Sequence, residues 1–180
     1  MQYLLTGLLL FGISLQVQAQ VELYGLHARW DDSFAEWTIS TYNDPKAGQL
    51  VRQWPLGNDW TQWSIRLGDF SGTIRQKFAH NPAQWELRFG NEVVTMRPVY
   101  PGDANIWRIQ SGDLNLTWSR DSRHLDAQWT IDRVPGFSMY TEFKGDPRDW
   151  IINDEVVPSL TTAAKLAMIF LTVFYSTPKL

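Results

Sequence analysis

Apolar and polar positions alternate along most of the chain with a period of two. In Trp63-Ser-Ile-Arg-Leu67 the large apolar side chains fall on every second residue, the pattern of a strand with one dry and one wet face. The same alternation runs through 85–89, 105–110, 113–118 and 126–131. Turn-forming pairs separate these runs: Gly68-Asp69, Ser71-Gly72, Gly90-Asn91, Ser111-Gly112-Asp113 and Pro135-Gly136. The pattern predicts about twelve strands, near 22–29, 34–42, 49–54, 62–67, 72–78, 84–89, 92–97, 105–110, 113–119, 126–132, 137–143 and 149–152. A W-x-I-x-x-G-D sequence occurs at 63–69 and again at 107–113, with shorter W-x-I echoes at Trp37 and Trp129. Two copies fall short of the roughly four or more recurrences a propeller needs, so the hairpins belong to one sheet.

The period changes at the end of the chain. Residues 160–175 are apolar nearly all round, which predicts a helix without a solvated face, buried in protein or in lipid. The central helix is expected over 158–176, with Pro158 in its first turn and Asp154, Glu155 and Ser159 as capping candidates. A run from Ser159 to Tyr175 would reach about 25 Å, short of the ~30 Å hydrocarbon core. Lys165 near its middle opposes insertion by about 3 kcal/mol. Many antiparallel strands need their edges closed, and an apolar helix needs a sleeve. A mainly β fold follows: a single closed antiparallel barrel of about twelve strands around a buried hydrophobic C-terminal α-helix. In that setting Lys165 must reach a barrel mouth or meet a carboxylate.

Residues 1–19 are set apart from this domain. An uncharged apolar run over 3–15 followed by Val17-Gln18-Ala19 has the form of a secretory signal peptide cleaved after Ala19. The expectation is an exported barrel domain over 20–180, secreted, periplasmic or associated with the cell envelope.

Composition narrows the chemistry. The 180 residues carry 16 Lys+Arg against 19 Asp+Glu, a net charge of -3, and no cysteine. No basic run offers a footprint for nucleic acid, and disulfides, thiolate metal sites and thiol nucleophiles are excluded together. H-E-x-x-H, G-x-S-x-G, G-x-G-x-x-G and the P-loop are all missing. No catalytic residue, cofactor or metal is therefore assigned, and His27, His80 and His124 read as surface or loop residues. The acidic set Asp146, Asp149, Asp154 and Glu155 offers oxygen ligands for Ca²⁺, but its spacing is not that of an EF-hand loop. Helix-start and turn charges account for it more simply.

Two groups of residues suggest binding. Arg66, Arg75 and Lys77 alternate with Trp63, Ile65, Leu67, Ile74, Gln76 and Phe78, so the cations should share the outer face with Arg88, where an anionic lipid headgroup can sit. The simpler reading is a solvated face whose charges protect strand edges. Trp30, Trp54 and Trp60 lie near turns, where indole rings can stack on an envelope glycan or cap the barrel core. The main expectation is a non-enzymatic barrel binding a lipid or another envelope component. The alternatives are a glycan-binding or glycan-hydrolysing module and a protein anchored in a membrane by its C-terminal helix.

The stretch from Asp149-Trp-Ile-Ile-Asn-Asp-Glu-Val-Val-Pro-Ser-Leu to the end of the apolar run at Tyr175, with its early Lys165, resembles the last strand, link and terminal helix of the tubby-like superfamily. That superfamily gathers tubby proteins, phospholipid scramblases and LURP-one-related proteins. The W-x-I-x-x-G-D hairpins are similar in spacing to its strand pairs. The resemblance covers about residues 22–176 and implies a twelve-stranded barrel around a central helix, with membrane-lipid or regulatory roles. No position matches a lipid site of the family well enough to carry one over.

Overall fold

The structure, a computed structural model, describes residues 21–54, 57–79, 81–121, 128–132, 135–155 and 159–179. The expected leader, its cleavage point at Ala19, and His80, His124 and Pro158 lie outside the described residues. Twelve strands follow one another: β1 (Leu23–Trp30), β2 (Ser33–Thr41), β3 (Gly48–Arg52), β4 (Gln62–Leu67), β5 (Phe70–Phe78), β6 (Asn81–Phe89), β7 (Glu92–Pro98), β8 (Ile106–Ser111), β9 (Leu114–Asp121), β10 (Gln128–Ile131), β11 (Phe137–Thr141) and β12 (Asp149–Asp154). Each pairs antiparallel with its neighbours in sequence, and β1 pairs with β12 to close the barrel. The seam sets Gly25 opposite Ile151, Leu26 opposite Trp150 and His27 opposite Asp149.

Helix α1 (Thr162–Ser176) fills the interior. Its 15 residues make about 22 Å of helix, and every residue from Ala163 to Val173 is buried. The expected helix and sleeve are both present, but the helix begins later than Ser159. Thr161 is the N-cap, its hydroxyl accepting from the Ala164 amide at 3.2 Å. Asp154, expected as a cap, turns inward to Lys165, whose Nζ donates to Oδ2 at 2.8 Å and lies 2.7 Å from Oδ1. Oδ1 has the distance but not the alignment of a hydrogen bond, whereas Oδ2 also accepts from the Leu23 amide at 2.8 Å. Lys165 thus meets a carboxylate, on a side chain as buried as its own.

Tryptophan fills the space between helix and sheet. Seven of the ten are almost wholly buried, and all seven indole N–H groups have acceptors. Trp37, Trp63, Trp107 and Trp150 donate to the carbonyl three residues earlier, from Phe34, Trp60, Ala104 and Pro147, at 2.8–3.0 Å. Trp85, Trp118 and Trp129 instead donate to hydroxyls on the helix side, Tyr175, Thr172 and Ser176, at 3.0–3.2 Å. The two W-x-I-x-x-G-D segments therefore share a local device, and the indoles let a polar atom be buried without being orphaned. Phe78 departs from expectation. A register shift between Gln76 and Phe78 breaks the alternation and turns Phe78 outward, leaving it about half exposed.

Candidate functional site: an aromatic rim

Because the sheet is an unbroken meander, the connections β1–β2, β3–β4, β5–β6, β7–β8, β9–β10 and β11–β12 all open at one end of the barrel, the upper rim. The helix enters from the other end after β12, so its C-terminus points to this rim. Five of the six connections lie at least in part within the described residues, and each holds or directly follows one strongly exposed aromatic: Trp30, Trp54, Phe78, Tyr100 and Phe143, between 50% and 61% exposed. The sixth is 122–127, outside the described residues. At the lower rim Tyr42 and Phe70 are exposed, while the described tight turns at Gly90 and Gly112 hold no aromatic.

A cavity of ≈290 Å³ opens inside the upper rim. Its walls are Trp60, Trp85, Trp107, Phe174 and Tyr175, with Thr61, Gln76 and Asp103 as polar points. The side chains pack against one another. Trp85 packs on Phe170 and Phe174 with ring centroids 4.8 and 4.7 Å apart, and Trp107 lies 4.6 Å from Tyr175. Burial pushes the Tyr175 hydroxyl above its ordinary pKa, against the opposing pull of the Trp85 N–H. Lys179 lies beside Phe174, donating to its carbonyl and, at 2.9 Å, to that of Thr177, with its ammonium 4.1 Å from the Phe174 ring. Burial pushes its amine down to about 8.

The tryptophans expected to stack on glycan divide. Trp30 and Trp54 are exposed, Trp30 with the Arg29 guanidinium 5.2 Å from its ring. Trp60 is buried, sandwiched near Trp63 (5.8 Å) and the Arg52 guanidinium (4.4 Å), with its N–H on Asn58 at 2.8 Å. It forms the cavity wall rather than an open platform.

The expected cationic stripe is on the outer face, but it is not a single field. Arg66 pairs with Ser71 and Arg75 with Gln62, which separates the two arginines by four positions, about 13 Å along the strands. Glu86 lies between Arg75 and Arg88, accepting from Arg88 at 2.8 Å and Arg75 at 3.1 Å. The Arg88 bond, then that of Arg75, holds its carboxyl below the usual range although burial opposes them. Lys77 lies beyond this network near the rim, its ammonium 5.6 Å from the Phe78 ring.

The acidic set disperses. Asp154 belongs to Lys165. Asp146 accepts from Arg148 at 2.9 Å, which lowers its pKa to about 2. Glu155 is exposed beyond the end of β12, and the Asp149 carboxylate accepts from His27 Nδ1 at 2.9 Å. These four residues share no calcium cage.

Comparison with known proteins returns no match: no family model, curated protein or solved structure is significantly similar to the chain. The site must be read from its own geometry. Among the described residues no helix is long and apolar enough to cross a membrane.

Proposed function

We propose that the protein is an exported, non-enzymatic barrel of tubby- or scramblase-like design that binds lipid through its upper rim, with one acyl chain or a comparable apolar segment entering the rim cavity. The observation that carries this reading is the placement of one exposed aromatic at each of the five rim connections named above. Aromatic rings exposed together around an apolar opening are costly in water and suited to a membrane interface. The cavity is about twice the ~150 Å³ void that admits benzene. It has room for part of a chain and not for a whole lipid.

Charge plays the smaller part. Glu86 already engages Arg75 and Arg88, and Asp31, Asp103 and Asp146 share the rim with Lys77 and Lys179. Apolar insertion should therefore dominate, with only modest gain from anionic headgroups. The test is sedimentation of the mature chain with phosphatidylcholine vesicles, with and without an anionic lipid. Binding to both, with quenching of tryptophan by bromine-labelled acyl chains, is the expected outcome. A Trp54→Ala/Phe78→Ser variant should lose at least about tenfold in affinity, as removal of two inserted rings implies. No binding to either vesicle, or equal binding by the variant, would overturn the reading. Retention on a polysaccharide matrix that depends on Trp54, without vesicle binding, would replace lipid by glycan.

A further inference from the structure

A second site lies on the outer wall at the barrel seam. The register places Thr141 opposite Trp150 and His27 opposite Asp149. The Glu142 amide donates to the Asp149 carbonyl at 2.9 Å. Glu142, Asp149 and His27 therefore form one row across β11, β12 and β1. Neighbouring strands are about 4.8 Å apart, and the row's in-chain neighbours Thr141, Trp150 and Leu26 are buried inside the barrel. All three side chains thus point outward together. Their ligand atoms lie within 4.8 Å of one another.

We propose that His27, Glu142 and Asp149 bind a divalent transition cation of the zinc class, clamping the first strand of the barrel to the last two. One imidazole nitrogen and two carboxylates are three protein ligands, leaving a fourth tetrahedral position to water. An imidazole donor favours zinc-class ions over Ca²⁺ or Mg²⁺, which prefer oxygen alone. Bonds of ~2.0–2.1 Å need donors about 3.3 Å apart, and Glu142 is exposed and free to swing inward by that difference. His27 Nδ1 already faces Asp149.

The ring's position is set from its other side. Gly25 lies two residues earlier on the same face of β1, and a Cβ there would come within 3.2 Å of His27 Nε2. The absence of a side chain at Gly25 lets the imidazole lie flat along the strand toward Asp149. Two carboxylates and a neutral imidazole carry a charge of -2, which a divalent ion balances. Arg148 also interacts with Asp149, but its guanidinium is engaged by Asp146 at 2.9 Å and approached by Asp31 at 3.6 Å. His27 also borders a cleft of ≈450 Å³ with Tyr24, Ser40 and Tyr42, which gives an ion a way in from solvent.

Calorimetric titration of the chelator-treated chain with Zn²⁺ tests the proposal, together with its thermal melt. One saturable site is expected, and the melting temperature should rise by about 5–10 °C at a free Zn²⁺ concentration ~100 times Kd. Glu142→Gln and His27→Asn should each weaken binding by at least about tenfold, the scale on which even outer partners of a metal act. Circular dichroism in chelator confirms that both variants fold, and Glu142 is exposed enough that its change leaves the barrel intact. No saturable site, or a site unaffected by both substitutions, would overturn the proposal. So would an equal response to Ca²⁺ that does not depend on His27. None of these readouts involves lipid, so failure here leaves the rim reading standing.

Discussion

Lys165 is the residue on which the interior depends most sharply. A lone ammonium amid apolar side chains would be too costly to bury, and Asp154 answers it from the end of β12 while holding the Leu23 amide of β1. Lys165→Met strips the partner from a carboxylate with no solvent exposure. It should destabilise the fold by about 3–5 kcal/mol, read as a fall in denaturant midpoint. Adding Asp154→Asn should recover most of that loss, because the amide oxygen still accepts from Leu23 and no unpaired charge remains. The need for a partner was legible from the sequence, since a lysine in an otherwise apolar helix has few alternatives. The partner's identity was not, because Asp154 is equally well placed in sequence to cap the helix. Trp60 shows the same limit: a tryptophan beside a turn can stand out or fold in, and here Asn58 and Arg52 hold it in.

Among the elements, all twelve strands were legible, with bounds within three residues of those observed, because each has one dry face and one wet face. The helix was legible because it has no wet face. Its start was not, since Ser159 and Thr161 are both competent caps, and it is the Thr161 hydroxyl that meets the Ala164 amide. What keys the helix into the barrel is a set of tryptophan N–H groups that meet Thr172, Tyr175 and Ser176. Thr172→Val keeps the shape of the side chain while removing the acceptor for Trp118. Trp118 is then left with a buried donor, and stability should fall by about 1–3 kcal/mol in chemical denaturation. A loss within measurement error would mean that this hydroxyl does not orient the helix. Closure of the barrel was expected, but the register across its seam was not legible. His27 and Asp149 are distant in sequence, and only the closure of β1 on β12 sets them side by side.

The molecule as a whole is a closed wall with its filling supplied by one segment. Closure removes the exposed sheet edges, yet the inward faces of the strands have nothing to cover except α1. A chain ending before residue 158 should expose a tryptophan lining to water and give an insoluble or molten product, with dye binding and no sharp thermal transition. A monomeric fragment that still melts cooperatively would show that the wall stands without its filling. The rim was partly legible at this scale: Trp30 and Trp54 were read as turn residues, but Phe78, Tyr100 and Phe143 join them only through the parity of a meander.

The position of α1 after all twelve strands also orders the birth of the protein. Some 140 residues separate Leu23 from Thr162, so at ~5–20 residues per second a ribosome takes roughly 7–28 s to deliver the helix after the first strand appears. For that interval the hairpins already made cannot be completed into a wall, because the surface they must rest on has not been made. Until the last turn of helix emerges the apolar strand faces lack their cover, and the nascent chain requires protection from its neighbours.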